Sequence, residues 1–187
     1  HFATILSAAR NRNEQADDEL CSLIVNRNYP AIARATAISW LDPQRSRTNA
    51  QALFQATSDS NPQVREVAAM TLDGYASDPQ APYKELVKYV VPLLSDSSRS
   101  VRIAAVQPVA RIPRHLLRAN ERKAFDSAFK ELELGLAVNN DRAAPYVSIG
   151  NIYQLLKDPE AAEMAFRKAI FVEPNYTGAR ANLAELL

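Results

Sequence analysis

The chain has 187 residues, 47% of them apolar and 23% charged, the balance of an ordinary folded protein of one compact domain or one short solenoid. A net charge of +1 gives no reason to expect DNA, RNA or an anionic membrane as partner, and no apolar run approaches the roughly 18 to 20 residues of a membrane span. Four glycines against eleven prolines is a helical composition in which proline acts as punctuation.

In chain order, Phe2–Arg10 and Asp17–Asn26 predict two short helices joined by a turn over Asn11–Gln15. Asp17 or Asp18 suits the first turn of the second helix, where free amides and the dipole favour negative charge. Pro30 opens a third helix that runs to Asp42-Pro43, and a fourth spans Arg47 to Thr57. Asn61-Pro62 starts a helix that stops at Ser77-Asp78-Pro79, and Tyr83–Leu94 supplies its partner. The run SRSVRIAAVQPVARIP predicts a further helix, with Pro108 removing one amide donor and bending it unless a new turn starts there. His115–Ala119 forms a short helical link. Asn120 then caps a long helix to Val138, whose apolar positions include Ala124, Phe125, Ala128, Phe129, Leu132 and Leu136.

Three segments align without gaps: Asn28 to Arg34, Asp59 to Arg65 and Asp96 to Arg102. Each has Asn or Asp six residues before an arginine, and Leu41, Leu72 and Val109 fall at equivalent positions after it. Recurrence at intervals of 31 and 37 residues marks stacked helical hairpins, none of which can bury its apolar face alone. From about Pro30 to Pro113 the unit resembles a HEAT repeat. Arg34, Arg65 and Arg102 have two readings: a ladder of polar contacts between adjacent repeats, which is favoured, or a row that binds anions.

Between Tyr146 and Pro174 two amphipathic stripes surround a break at Lys157-Asp158-Pro159. Tyr146, Ile149, Gly150 and Tyr153 form the first stripe; Ala162, Phe166 and Ala169 form the second, closed by Pro174. Order and spacing resemble the tetratricopeptide repeat, whose unit is about 34 residues, over Ala143 to Tyr176. That family binds peptides in a groove lined by the first helix of each unit. The resemblance therefore implies a peptide groove over Asn151, Gln154 and Asn182. Asn151 and Asn182 also fall on the two asparagine positions of the family's carboxylate clamp, but Val147 stands where its lysine is expected. Tyr176–Leu187 starts another unit, and Leu183, Leu186 and Leu187 give it enough apolar surface to expect further sequence or a dimer contact over it.

The expected architecture is thus all-α, a right-handed superhelical solenoid of helical hairpins. HEAT-like repeats over 1–119 continue without a break into tetratricopeptide-like hairpins over 120–187. The latter comprise the long helix 120–138, a full unit over 143–176 and a partial unit over 177–187. A chain that starts at His1 and stops within an apolar pattern reads as a fragment of a longer protein.

No catalytic, cofactor or metal constellation emerges. His1 and His115 are far apart, and neither stands in a ligand pattern with a carboxylate or with Cys21, the single cysteine, which lies on an apolar helical face as a buried thiol. His115 reads as part of a helical face beside Leu116-Leu117. Glu131 and Glu133 point to different faces of their helix. There is no phosphate loop, nucleophile elbow or HExxH helix. Tyr146 and Tyr153 belong to packing. Tyr29, Tyr75, Tyr83, Tyr89 and Tyr176 sit near helix ends, and the sequence does not select which of them line a groove.

The run Pro30-Ala31-Ile32-Ala33-Arg34-Ala35-Thr36-Ala37, with His1, Phe2 and Arg10 before it, is similar to the repeat region of bacterial multihaem c-type cytochrome-like proteins. That similarity implies an exported, periplasmic parent working in electron transfer, and His1 without its neighbours is given no ligand role. No CxxCH occurs in this chain, so any haem sites lie outside it. The expected function is a non-catalytic scaffold binding a protein or peptide, or alternatively the docking domain for the haem-bearing half of its parent.

Overall fold

A computed structural model of the chain describes residues 2–10, 16–138 and 141–187. Those residues form eleven α-helices, two short 3-10 helices and no strand, so the all-α expectation holds. They divide into two compact units, His1–Ala128 and Phe129–Leu187. The division falls inside a helix, between Ala128 and Phe129. His1 and the expected turn at Asn11–Gln15 lie outside the described residues.

The first unit begins with α1 (Phe2–Arg10), α2 (Ala16–Val25), α3 (Ala31–Trp40) and α4 (Arg47–Ala56). It continues with α5 (Pro62–Ala76), α6 (Tyr83–Tyr89), α7 (Arg99–Ala110) and the start of α8 (Ala119–Val138). Helices α3, α5 and α7 pack in sequence to make one layer, and α2, α4 and α6 make the other. The repeat seen in the sequence explains the first layer. Ala33, Val64 and Val101 occupy one recurring position; Ala37, Ala68 and Ala105 occupy the next; Leu41, Leu72 and Val109 occupy the last, and all nine are buried. Small residues at the middle position let neighbouring helices approach closely enough to exclude water along the whole layer.

Local chemistry sets the helix ends. Ser46 caps α4 by accepting from the Asn49 amide, and Asn61 caps α5 by accepting from Gln63, with Pro62 at the first helical position. Two expectations need correction. The helix expected over Tyr83–Leu94 ends at Tyr89 and gives way to a 3-10 helix, Val91–Ser95. Pro92 has no amide to donate and disfavours the α conformation at Val91, while Val90, Leu93 and Leu94 still reach the core in the tighter turn. Asn120 lies inside α8, not at its cap. Arg118 precedes the helix, and Glu121 reaches back to its amide at 2.7 Å, the carboxylate half of a capping box. The link near His115 is a 3-10 turn, Arg114–Leu116, with His115 exposed.

The second unit comprises the end of α8 with α9 (Ala143–Leu155), α10 (Pro159–Val172) and α11 (Thr177–Leu186). Helices α9 and α10 form a tight hairpin, and α11 packs on both. The turn is built as the Lys157-Asp158-Pro159 break implies. The Asp158 amide bonds to the Tyr153 carbonyl and the Lys157 amide to that of Gln154, placing Lys157 in the left-handed region at φ 61°. Asp158 then caps α10 through the Ala161 amide.

Candidate functional site

The repeat arginines act inside the first unit. Arg34, 4% exposed, pairs with the Asp59 carboxylate of the next repeat. Arg65 makes the same reach by a bidentate pair, Nε to Asp96 Oδ2 at 2.7 Å and Nη2 to Asp96 Oδ1 at 2.8 Å. The second and third repeats also close on themselves. Arg65 Nη1 donates to the Asp59 and Ser60 carbonyls, and Arg102 Nη1 donates to those of Asp96 and Ser97. Asp59 and Asp96 in turn accept from the amides two residues on, Asn61 and Ser98. The Arg65 guanidinium holds the Asp96 carboxyl below the usual carboxylate range. Arg34 and Arg65 are committed to neighbouring repeats, which is the ladder arrangement.

A second buried node ties the opposite layer. Asn49 donates to Asp17 Oδ2 at 2.7 Å and to the Asp42 carbonyl at 3.0 Å, and its Oδ1 accepts from Ser46 and, at 3.6 Å, from the Cys21 thiol. Burial, and after it the charges of Asp17 and Asp18, push that thiol up to about 11. Cys21 is therefore a protonated packing group, as expected from its apolar face.

A groove of about 670 Å³ opens between α4 and α6. From α4 it takes Arg47, Ala50, Gln51, Phe54 and Gln55, spaced 3, 4, 7 and 8 residues from the first, which is one face of a helix. Lys84, Glu85, Lys88 and Tyr89 of α6 form the facing wall, with Tyr75 and Pro82 at the end. The floor is an aromatic cluster: Phe54 stacks on Tyr89 with centroids 5.1 Å apart and meets Tyr75 edge-on at 5.9 Å. The Lys88 ammonium lies 4.7 Å from the centre of the Tyr89 ring. Burial, then the nearby carboxylates of Glu85 and Asp78, raises the Tyr75 hydroxyl pKa, so it remains a neutral hydrogen-bonding group.

The residues read from the sequence as a peptide groove lie in the second unit. Asn182 Nδ2 donates to Asn151 Oδ1 at 2.6 Å, tying α11 to α9, and Gln154 is half-buried on α9. Val147, in place of a lysine, packs with Tyr146 on the cluster of Ala143, Ala169 and Ala179. Gly150 faces the ring of fully buried Phe166: a Cβ there would stand 2.6 Å from Phe166 Cδ1. Tyr153 meets Phe129 edge-on at 5.2 Å and donates its hydroxyl to Glu133; burial and that carboxylate push its pKa up to about 12. Ala162 is buried in the same hairpin, and Pro174 follows the end of α10.

Among the described residues no cluster of histidine, cysteine and carboxylate side chains could hold a metal ion, and no helix is long and apolar enough to cross a membrane. Residues 50–118 match the family model for HEAT repeats. No curated protein and no solved structure matches the chain. The matched segment contains α5, α6 and α7 and most of α4, and with them the Arg65–Asp96 tie and nearly the whole groove. Over that segment the chain is similar to HEAT repeats, in agreement with the resemblance read from the sequence spacing. The groove itself escaped the sequence reading. Its α4 face was visible as a helical stripe, but that stripe mixes Arg and Gln with Phe and looks like an ordinary solvated face. Only the packing of α4 beside α6 gives it an opposite wall.

Proposed function

We propose that this chain is a non-catalytic interaction module, presenting the groove between α4 and α6 to a segment of a protein partner. One observation carries the reading: an aromatic floor sits in an open channel walled by amide and charged side chains, the composition of a peptide site. HEAT repeats commonly serve as protein-interaction scaffolds, which agrees with this use of the first unit. The mechanism is shape complementarity on a surface held by inter-repeat ion pairs, with no bond made or broken.

The second unit supports a finer proposal, that α9, α10 and α11 form a tetratricopeptide-like unit. Its α9/α11 face, marked by Asn151, Gln154 and Asn182, would then be a second peptide surface. Exposed Leu187, just past the end of that last helix, supports a self-association contact there, which sedimentation over a range of concentrations tests. The docking role in an exported multihaem electron-transfer protein rests on the Pro30–Ala37 resemblance. A Soret band in the full-length parent would support it, and its absence removes it.

Site-specific photo-crosslinking tests the module. A photoreactive residue at Gln51 probes the groove, one at Asn182 probes the α9/α11 face, and one at exposed Glu160 on α10 serves as control. Discrete adducts at Gln51, absent at Glu160, are expected in a lysate of the source cell. Adducts only at Asn182 would move the site to the second unit. Adducts at neither would remove the interaction reading.

A further inference from the structure

The chemistry of the groove walls narrows the kind of partner they fit. Arg47, Lys84 and Lys88 face the channel against a single carboxylate, Glu85, so three cations meet one anion in a chain whose total charge is only +1. Arg47 and Lys84 are exposed, and among the described residues neither forms an ion pair. They are therefore available to charges from outside. Gln51 and Gln55 stand on the α4 wall as amide donors and acceptors, groups that match the alternating N–H and C=O of an extended backbone. Below them, Tyr75 and Tyr89, half-buried beside Phe54, offer an apolar seat between the charged walls.

Cations beside aromatics also suit single-stranded nucleic acid, but that mode needs a ring face on which a base can stack. Here Phe54 is 5% exposed and stacked on Tyr89, which also holds the Lys88 ammonium. A base would need a whole ring face, which these contacts take up, whereas an apolar side chain needs only the channel-facing edges of half-buried Tyr75 and Tyr89. The α4 wall from Arg47 to Gln55 spans about 12 Å at 1.5 Å per helical residue, room for about four residues of extended chain.

We propose that the groove takes an acidic linear segment of a protein partner, about four residues in contact, with Asp or Glu flanking one large apolar side chain. The apolar side chain lies against the channel-facing edges of Tyr75 and Tyr89, the carboxylates meet Lys84, Lys88 and Arg47, and Gln51 and Gln55 bond the backbone. This rests on the groove being the interaction site of the module.

The test is selection of a phage-displayed random dodecapeptide library on the intact chain. It is repeated on Lys84→Glu/Lys88→Glu, which reverses two wall charges and removes the Lys88 contact with Tyr89, and on Gln51→Trp, which fills the channel; circular dichroism confirms the fold of each. Enrichment of Asp and Glu around an aromatic or aliphatic residue is expected. Binding of the selected peptides should weaken at least about tenfold in the charge-reversed variant and be lost in the filled one. Selection of neutral or basic peptides that Gln51→Trp abolishes would overturn the acidic partner and leave the groove as the site. Peptides insensitive to both variants, or no selection at all, would overturn both. An oligothymidylate that binds more tightly than any selected peptide, and loses binding in the charge-reversed variant, would overturn the proposal in favour of nucleic acid.

Discussion

Removing Arg65 tests whether the repeat ladder holds the first unit together. Arg65→Ala deletes two bonds to the Asp96 carboxylate and two to the Asp59 and Ser60 carbonyls, and leaves Asp96 without its bidentate partner. Breaking a fully buried pair from one side costs about 3–5 kcal/mol. The Arg65 and Asp96 side chains are 13% and 9% exposed, so water screens part of that, and about 2–3 kcal/mol is expected. Urea unfolding of Arg65→Ala, Asp96→Ala and the double variant, followed by helical circular dichroism, separates the pair from its surroundings. A coupling energy of about 1–3 kcal/mol is expected. A coupling below about 0.5 kcal/mol would place the pair with ordinary surface ion pairs and refute the ladder as a stabilising device. Acid gives an independent reading. The Asp96 pKa is lowered from its ordinary 3.8 in the folded chain, first by the Arg65 hydrogen bond. Its contribution is therefore fully present above pH 3.8 and is lost as the pH falls through the folded value. The stability gap between the native chain and Asp96→Asn should shrink in that range.

Gly150→Ala would ordinarily strengthen a helix by about 1 kcal/mol, but here the new methyl meets the Phe166 ring, and a net loss of about 1–2 kcal/mol is expected. Adding Phe166→Leu should recover part of it; a more stable Gly150→Ala chain would refute the close approach. Lys157→Gly removes a side chain from the left-handed turn at φ 61° and should raise stability by about 0.5–1 kcal/mol, read as a higher melting temperature. Cys21 should resist iodoacetamide at pH 8 in the folded chain and react in urea, because burial lifts its pKa to about 11. That raised value also contributes stability that is complete below the ordinary 9.0 and is lost as the pH rises towards 11. Equal alkylation rates in the two states would contradict the buried placement.

Much of this was legible before any coordinates. The Asn/Asp-to-Arg spacing identified equivalent positions in α3, α5 and α7, because a repeat must place the same residue type in the same environment each time it stacks. The helix start at Asn61-Pro62 and the break at Lys157-Asp158-Pro159 were equally readable, because the side chains that cap there act on their own neighbours. Errors arose where two local rules compete. Pro92 broke a helix whose apolar pattern ran on past it, and Glu121 moved the start of α8 ahead of Asn120. The tertiary structure alone decided which arginine meets which carboxylate across 25 or 31 residues, and which tyrosines share a floor. Local periodicity reports which face of a helix is buried. It does not report what stands opposite, and Phe54, Tyr75 and Tyr89 become one surface only because α4, α5 and α6 are packed side by side.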